Sequence, residues 1–103
     1  MGILSILGIG NKTKDVLRKG AIIIDVRTAH EFDEGKIKGS INIPVDRLSI
    51  NTERIRSMGK PVVLVCDSGE RSQKAISILK ANGIKDVYYG GRWTRVLKMI
   101  KSL

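Results

Sequence analysis

Runs of apolar residues alternate with mixed polar segments along most of the chain. Two runs, AIIIDV at 21–26 and VVLVC at 62–66, are apolar at nearly every position, which is typical of strands buried on both faces. Two shorter runs, SINIP at 40–44 and DVYY at 86–89, are further strand candidates, and a pair of glycines ends the second of them. The pattern therefore predicts four to five strands.

Helical patterns lie between these runs. They cover 12–19, a short turn at 28–35, a weaker stretch at 46–58, and the segments 72–82 and 91–102. Strands buried on both faces that alternate with helices indicate an α/β fold. We expect a three-layer α/β/α domain with a central, mainly parallel sheet, whose ligands would bind beyond the carboxyl ends of the strands.

The length of 103 residues suits a single domain, with an apolar N-terminal segment at 1–11 and a core at 12–103. The apolar opening is about half as long as a membrane span requires, and it lacks the basic start of a signal peptide. We expect this segment to be a turn or helix on the core, or a weak contact surface, and we expect no membrane span.

The chain has one cysteine and one histidine, which excludes an intramolecular disulfide and makes a zinc site improbable. No oxidising compartment is implied, and a cytoplasmic location is expected. The net charge of +9, from 19 basic and 10 acidic residues, raises the alternative of nucleic-acid binding. No basic run exceeds two residues, however, so the charge is better explained by solvated helix faces.

The last helical pattern illustrates such a face. Four basic residues lie opposite its apolar positions, as in an amphipathic surface helix. They are Arg92, Arg95, Lys98 and Lys101. No nucleic-acid partner is expected from this arrangement.

The only cysteine ends the apolar run at 62–66 and begins a polar loop that leads into the helical pattern 72–82. The loop reads Cys66-Asp67-Ser68-Gly69-Glu70-Arg71-Ser72. Most lone cysteines are small core residues. Here the abrupt change to polar residues indicates that Cys66 is exposed at the rim of the sheet, which favours a reactive thiol.

The loop has features that favour a thiolate. Successive backbone N–H groups and the N-terminus of the following helix attract an anion, and Gly69 permits backbone angles that other residues resist. Ser68 and Ser72 offer hydroxyl donors, and Arg71 adds a permanent cation. The two acids of the loop act in the opposite direction unless they face outward.

These residues carry a resemblance. The loop resembles the C-x-x-G-x-R-S active-site loop of single-domain rhodaneses, a family of sulfurtransferases. IIIDVRTAHEFDEGKIKGSINIP at 22–44 is similar to the first signature of that family, and YYGGRW at 88–93 resembles its closing Gly-Gly segment. The resemblance covers about residues 20–100 in the family's order, and it implies the rhodanese-like fold.

The resemblance also implies a reaction. Cys66 would take a sulfane sulfur from a donor such as thiosulfate or a persulfide, small or protein-borne, and hold it as a persulfide. A thiol or cyanide acceptor would then remove the sulfur, and neither a metal nor an organic cofactor would be needed. The substrate-binding residues would be those of the loop, namely Asp67, Ser68, Gly69, Glu70, Arg71 and Ser72.

Four residues outside the loop are interpreted as structural support. Asp25 and Arg27 follow the first strand and are expected to fix neighbouring loops, with Glu31 available to pair with Arg27. Gly90 and Gly91 are expected to allow a close approach to the cysteine loop. They could equally form a plain turn before the last helix.

The sequence is also to be compared with three alternative functions, namely phosphatase, non-catalytic interaction module and persulfide carrier. Phosphatases of a related fold use an H-C-x5-R loop, whereas Cys66 and Arg71 are separated as C-x4-R and valine precedes the cysteine, which favours sulfur transfer. Rhodanese-like domains also occur as non-catalytic interaction modules, although the intact Cys, Gly and Arg argue against that function here. A persulfide carrier, loaded and unloaded by a partner, is hardly separable from an enzyme at the level of sequence.

Overall fold

A computed structural model describes residues 12–103, so the apolar segment at 1–11 and its expected packing lie outside the described residues. Within that range four strands form one sheet in the order β2-β1-β3-β4, and every neighbouring pair is parallel. The strands are β1 (Ile22–Asp25), β2 (Ile41–Asn42), β3 (Val62–Cys66) and β4 (Val87–Arg92). The expected parallel sheet is confirmed.

Five helices accompany the sheet in the described part of the chain. They are α1 (12–18), α2 (Ala29–Glu34), α3 (Thr52–Ser57), α4 (Glu70–Ala81) and α5 (Trp93–Lys101). The weak pattern at 46–58 becomes two short 3₁₀ turns, Val45–Arg47 and Ser49–Asn51, followed directly by α3. The shortness of these pieces explains why no continuous helical period was visible there.

Strand β3 lies between two apolar layers, and all five of its residues are buried. Successive strand side chains point to opposite faces, so Leu64 and Cys66 join a cluster with Ile55 of α3 and Leu79 of α4. Val63 and Val65 join a second cluster with α1 and α5. Helices therefore cover both faces of the sheet, and the predicted three-layer architecture is confirmed.

Helix α4 begins at Glu70, two residues before the predicted start, because Gly69 immediately before it has a φ of +92°. The helix ends as the sequence indicates. Gly83 has a φ of +79°, and the N–H group of Ile84 donates to the carbonyl of Leu79 at 3.0 Å. Such a left-handed residue after the last turn is a common way to end a helix.

Strand β4 does not end at the glycine pair, contrary to the sequence-based expectation. It runs through both glycines to Arg92, and α5 begins at Trp93 instead of residue 91. Tyr89 pairs with Leu64 and Gly91 pairs with Val65, so one extra residue, Gly90, is accommodated as a bulge. The two glycines are therefore residues within β4, and they do not form a turn after it.

Helix α5 is amphipathic as predicted. Its buried residue is Val96, and its basic residues Arg95, Lys98 and Lys101 are exposed. Arg92 is exposed too, but it is the last residue of β4. None of the helices within residues 12–103 has both the length and the apolar character to cross a membrane.

Gly90 is the position in β4 where a side chain has least room. A Cβ atom there would lie 2.8 Å from the carbonyl oxygen of Leu64 and 2.9 Å from methyl groups of Val63 and Val65. We therefore expect Gly90→Ala to lower the free energy of unfolding by about 2 kcal/mol, as overpacking of a core usually does. Urea denaturation measures the change.

Gly20→Ala is the matched control for that substitution. Gly20 has a φ of +87° with nothing within 4 Å of the added Cβ, so its replacement adds backbone strain alone, about 1 kcal/mol. A loss at Gly90 no larger than the loss at Gly20 would contradict the steric argument.

Candidate active site

The strand order brings the end of β1 and the end of β3 together at one edge of the sheet. β1 and β3 are the two central strands, and the chain reverses its direction of strand addition between them. Asp25 ends β1 and pairs in register with Val65, so it lies next to Cys66 at the end of β3. Parallel sheets bind ligands at this topological position.

Cys66 is fully buried, with none of its surface exposed. The expectation that it is exposed at the rim is wrong, because the following loop folds back over the end of β3. The N–H group of Gly69 donates to Sγ of Cys66 at 2.9 Å. The sulfur atom therefore faces a backbone N–H donor at the start of α4.

Helix α4 adds partial positive charge near the sulfur of Cys66. Its 12 residues begin directly after Gly69, so the positive end of the helix dipole lies at the cysteine loop. Glu70 occupies the first turn and is exposed to solvent, as is Asp67. Water thus surrounds both acids of the loop, which weakens their opposition to an anion at the sulfur.

Arg71 is held by Glu31 of α2. Its two terminal nitrogens donate to the two carboxylate oxygens of Glu31 at 2.7 and 3.0 Å. The hydrogen bond from Arg71 lowers the pKa of Glu31, and the same bond, together with the nearby charges of Glu31, Cys66 and Asp67, raises the pKa of Arg71. The expectation that Glu31 pairs with Arg27 is therefore wrong for its carboxylate.

The reason lies in how α2 begins. Thr28 caps the helix, its N–H group donates to Oε1 of Glu31 at 3.0 Å, and the N–H group of Glu31 donates to the hydroxyl of Thr28 at 3.2 Å. This capping box fixes the carboxylate at the start of the helix. The carboxylate in this position is within reach of Arg71. The contact between Glu31 and Arg27 is a different one, in which Arg27 donates to the backbone carbonyl of Glu31 at 3.2 Å.

Asp25 and Arg27 form a buried ion pair. Arg27 donates through Nε to Oδ1 of Asp25 at 2.9 Å and through Nη2 to Oδ2 at 2.7 Å, and the two residues are 3% and 0% exposed respectively. Arg27 also donates to the carbonyl of Gly35 at 2.6 Å, and its guanidinium lies 4.8 Å from the ring centre of Trp93. These contacts join β1, the end of α2 and the start of α5.

The two serines of the loop differ in their surroundings. The side chain of Ser72 is completely buried, and its hydroxyl donates to the carbonyl of Leu64 at 3.3 Å. The hydroxyl is directed at β3 because Ser72 lies in the first turn of α4, and the assignment of Ser72 to substrate binding stays a prediction. Ser68, by contrast, is exposed.

A cleft of about 510 Å³ opens beside the loop. Its lining combines two loop residues with the junction of β4 and α5. The residues are Asp67, Ser68, Arg92, Trp93 and Thr94. The cleft is bordered by an acid, Asp67, and a base, Arg92.

Several residues of this region were not predicted from the sequence. The pairing of Glu31 with Arg71 was missed, although the T-x-x-E spacing at 28–31 signals the capping box that positions Glu31. Arg92 and Thr94 were missed as lining residues because their approach to the loop depends on the bulge in β4. The expected approach of the glycine pair also differs in detail, since Gly90 packs on β3 and not on the loop.

The pair between Glu31 and Arg71 predicts a pH dependence of stability. Because the pKa of Glu31 is lower in the folded chain than the value of about 4.3 expected when unfolded, the pair stabilises the fold above that pH and is lost as the pH falls below it. We expect Glu31→Gln to cost about 1 kcal/mol at pH 7, with the difference from wild type becoming progressively smaller as the pH falls below about 4.3.

Chemical denaturation at a series of pH values tests this. Glu34→Gln is the control, because Glu34 lies on the same helix and is 71% exposed, with His30 as its partner at 3.5 Å. A difference between Glu31→Gln and wild type that stays constant with pH would contradict the prediction.

Comparison with known proteins shows the family of this chain. The family model for the rhodanese-like domain matches residues 11–91. The uncharacterized protein YqhL of Bacillus subtilis is 39% identical over 79 residues, which are 74% of this chain and 62% of that protein. The thiosulfate sulfurtransferase GlpE of Pseudomonas syringae is 37% identical over 71 residues, 68% of this chain and 65% of GlpE. The chain thus spans somewhat less than two thirds of the length of these two relatives.

A tRNA uridine(34) hydroxylase of Cytophaga hutchinsonii is also similar, at 30% identity over 80 residues, but the matched part is only 26% of that protein against 72% of this chain. Among solved structures, the human single-domain sulfurtransferase TSTD1 superposes with a TM-score of 0.68 at 25% identity, covering 85% of this chain and 91% of TSTD1. With a family model that matches most of its length and a buried cysteine at the expected strand end, the chain belongs to the family of rhodanese-like domains.

Proposed function

We propose that this protein is a sulfurtransferase that moves a sulfane sulfur from a donor, such as thiosulfate or a persulfide, to a thiol or cyanide acceptor through a persulfide on Cys66. The observation that carries the proposal is the contact of 2.9 Å between the N–H group of Gly69 and Sγ of Cys66, at the N-terminus of α4. It supports a thiolate at the carboxyl end of a central strand.

The proposed reaction has two displacements at sulfur. The Cys66 thiolate attacks the outer sulfur of thiosulfate, a new S–S bond forms, and sulfite leaves with the electron pair of the broken bond. An acceptor thiolate or cyanide then attacks the terminal sulfur of the persulfide, and Cys66 leaves again as a thiolate. Electrons and atoms balance without a metal or cofactor, and a reducing compartment such as the cytoplasm would keep the thiol available.

The burial of Cys66 assigns different tasks to the loop residues. Because Asp67 and Ser68 are exposed and border the cleft, we propose that they meet the donor and acceptor first. Gly69 supplies a backbone N–H group to the sulfur. Arg71 adds positive charge while it fixes the start of α4 through Glu31, and Glu70 at the exposed helix start restrains the approach of anions.

A persulfide carrier is the second candidate, and the complete burial of Cys66 favours it. A sulfur enclosed in this way would exchange slowly with free small molecules and faster with a partner protein that opens the loop. Turnover with thiosulfate alone separates the two functions, since a carrier would need the partner at each step. Hydroxylation of a tRNA base is not proposed, because the chain matches only a quarter of such a relative.

Intact-mass spectrometry tests the first half-reaction. After incubation with thiosulfate or with a low-molecular-weight persulfide, we expect the protein to gain the mass of one sulfur atom, and cyanide should remove it. Cys66→Ala should gain nothing and should lose all sulfur transfer, because the nucleophile is absent.

The fold of Cys66→Ala is checked by circular dichroism, and Ser68→Ala serves as a loop variant that keeps the nucleophile. Sulfur uptake by Cys66→Ala equal to that of wild type would exclude the mechanism. If wild type takes up sulfur from neither small donor, the result would support the persulfide carrier or the interaction module instead.

The negative charge of Asp67 at the cleft is expected to disfavour anionic sulfur donors. Thiosulfate is a dianion, and a carboxylate about 8 Å away opposes each of its charges by about 0.5 kcal/mol in water. We therefore expect weak thiosulfate activity in wild type and a roughly twofold or greater decrease in the KM for thiosulfate in Asp67→Asn, with the gain reduced at high ionic strength.

Asp15→Asn removes the same charge from α1, where Asp15 is 62% exposed and pairs with Arg18, so it controls for net charge. Steady-state kinetics at low and high salt measure both variants. An unchanged KM in Asp67→Asn at low salt, or an equal change in Asp15→Asn, would refute a local effect at the cleft.

A further inference from the structure

Tyr89 lies beside the cysteine loop, with its side chain on the same face of the sheet as the cysteine. It pairs in register with Leu64, and residues paired in this way point to the same face of the sheet, the face that also carries Cys66. Its side chain is half-buried between β4 and the start of α4. The bulge at Gly90 directly follows it, and bulges commonly change the direction of a neighbouring side chain.

The phenol of Tyr89 fits between two glycines. A Cβ atom at Gly69 would lie 2.1 Å from its hydroxyl oxygen, and a Cβ atom at Gly91 would lie 3.4 Å from its ring. Both glycines have positive φ angles, +92° and +75°. The hydroxyl of Tyr89 therefore occupies the space that a side chain at Gly69 would need, and it is in contact with the residue that donates to the cysteine.

The neighbouring Tyr88 shows how a tyrosine hydroxyl is otherwise used in this strand. It donates to Oδ1 of Asp86 at 2.6 Å, and that hydrogen bond raises the pKa of Tyr88. Among the hydrogen bonds recorded for residues 12–103, none involves the hydroxyl of Tyr89, while its backbone carbonyl accepts from Thr13 at 3.3 Å. The contact that the structure shows for the Tyr89 hydroxyl is its packing against Gly69.

We propose that Tyr89 is a positioning residue for the nucleophile: its hydroxyl presses on Gly69 and keeps the N–H group of Gly69 directed at Sγ of Cys66. The loop is then held from two sides, by Tyr89 at Gly69 and by Glu31 at Arg71. This inference deepens the proposed sulfur transfer and rests on it for its biological meaning. Its test reads the cysteine directly and does not require sulfur transfer.

The charged groups around the sulfur stay unchanged in this test. They are Asp67 of the loop, Glu70 and Arg71 of α4, Glu31 of α2, which reaches the site through Arg71, the paired Asp25 and Arg27 at the end of β1, and Arg92, which pairs in register with Cys66. Substituting phenylalanine for tyrosine removes one oxygen atom and no charge at neutral pH. A change in the reactivity of Cys66 therefore reports the contact with Gly69.

The experiment is the rate of alkylation of Cys66 by iodoacetamide as a function of pH. We expect Tyr89→Phe to move the midpoint of the profile upward by about half a pH unit, which is about a threefold loss of thiolate near neutral pH. Tyr88→Phe is the matched control, because it removes the same atom from the next residue and breaks a hydrogen bond as well. It should leave the midpoint unchanged even if it lowers thermal stability.

A double-mutant cycle tests the contact by stability alone. Without the hydroxyl, the nearest atom to a Cβ at Gly69 is ring carbon Cζ at 3.3 Å, so Gly69→Ala should destabilise Tyr89→Phe less than it destabilises wild type. If the cost is equal in both backgrounds, or if the alkylation midpoint of Tyr89→Phe equals that of wild type, the positioning role is overturned.

The two proposals fail in different ways. If wild type gains no sulfur from any donor while Tyr89→Phe still moves the alkylation midpoint, the proposed function fails and the positioning role stands. If wild type transfers sulfur and Tyr89→Phe leaves the midpoint unchanged, the sulfur transfer stands and the positioning role fails.

Discussion

The buried ion pair between Asp25 and Arg27 is the interaction on which the active-site edge depends. Each group alone would be costly to bury, so the pair and its surrounding hydrogen bonds must form together. The guanidinium also donates to the carbonyls of Glu31 and Gly35 and lies over the ring of Trp93. One side chain thereby joins the end of β1 to α2 and to the start of α5.

From α2 the connection continues to the cysteine loop. The backbone of Glu31 is bound to Arg27, while its carboxylate is bound to Arg71 in the first turn of α4. The buried pair thus contacts α2, and α2 in turn contacts the first turn of α4 through Arg71. Because Cys66 depends on an N–H group at the start of α4, the chemistry of the sulfur is linked to a charge pair on a different strand. Contacts of this kind explain how Arg71 can have a structural role as well as placing a positive charge beside the cysteine loop.

The fold and most of the candidate site followed from local patterns in the sequence. Continuous apolar runs located β1 and β3, the glycine after residue 82 located the end of α4, and the abrupt polar sequence after Cys66 located the loop. Such features act over a few residues, so they are visible without knowledge of the rest of the chain. The resemblance to rhodaneses rested on the same short segments, and the family model confirmed it.

Tertiary structure decided the features that join distant residues. The sequence alone left Cys66 at an exposed rim, because it does not show that the loop folds back over the sulfur. It paired Glu31 with the nearby Arg27, whereas packing of α2 against α4 pairs it with Arg71, 40 residues away. The sequence predicted that the strand ends at Gly90 and Gly91. Pairing with β3 instead continues the strand through both glycines, with a bulge at Gly90, and places Tyr89 against Gly69. Local propensity therefore determined the elements, and long-range packing determined which side chains surround the sulfur.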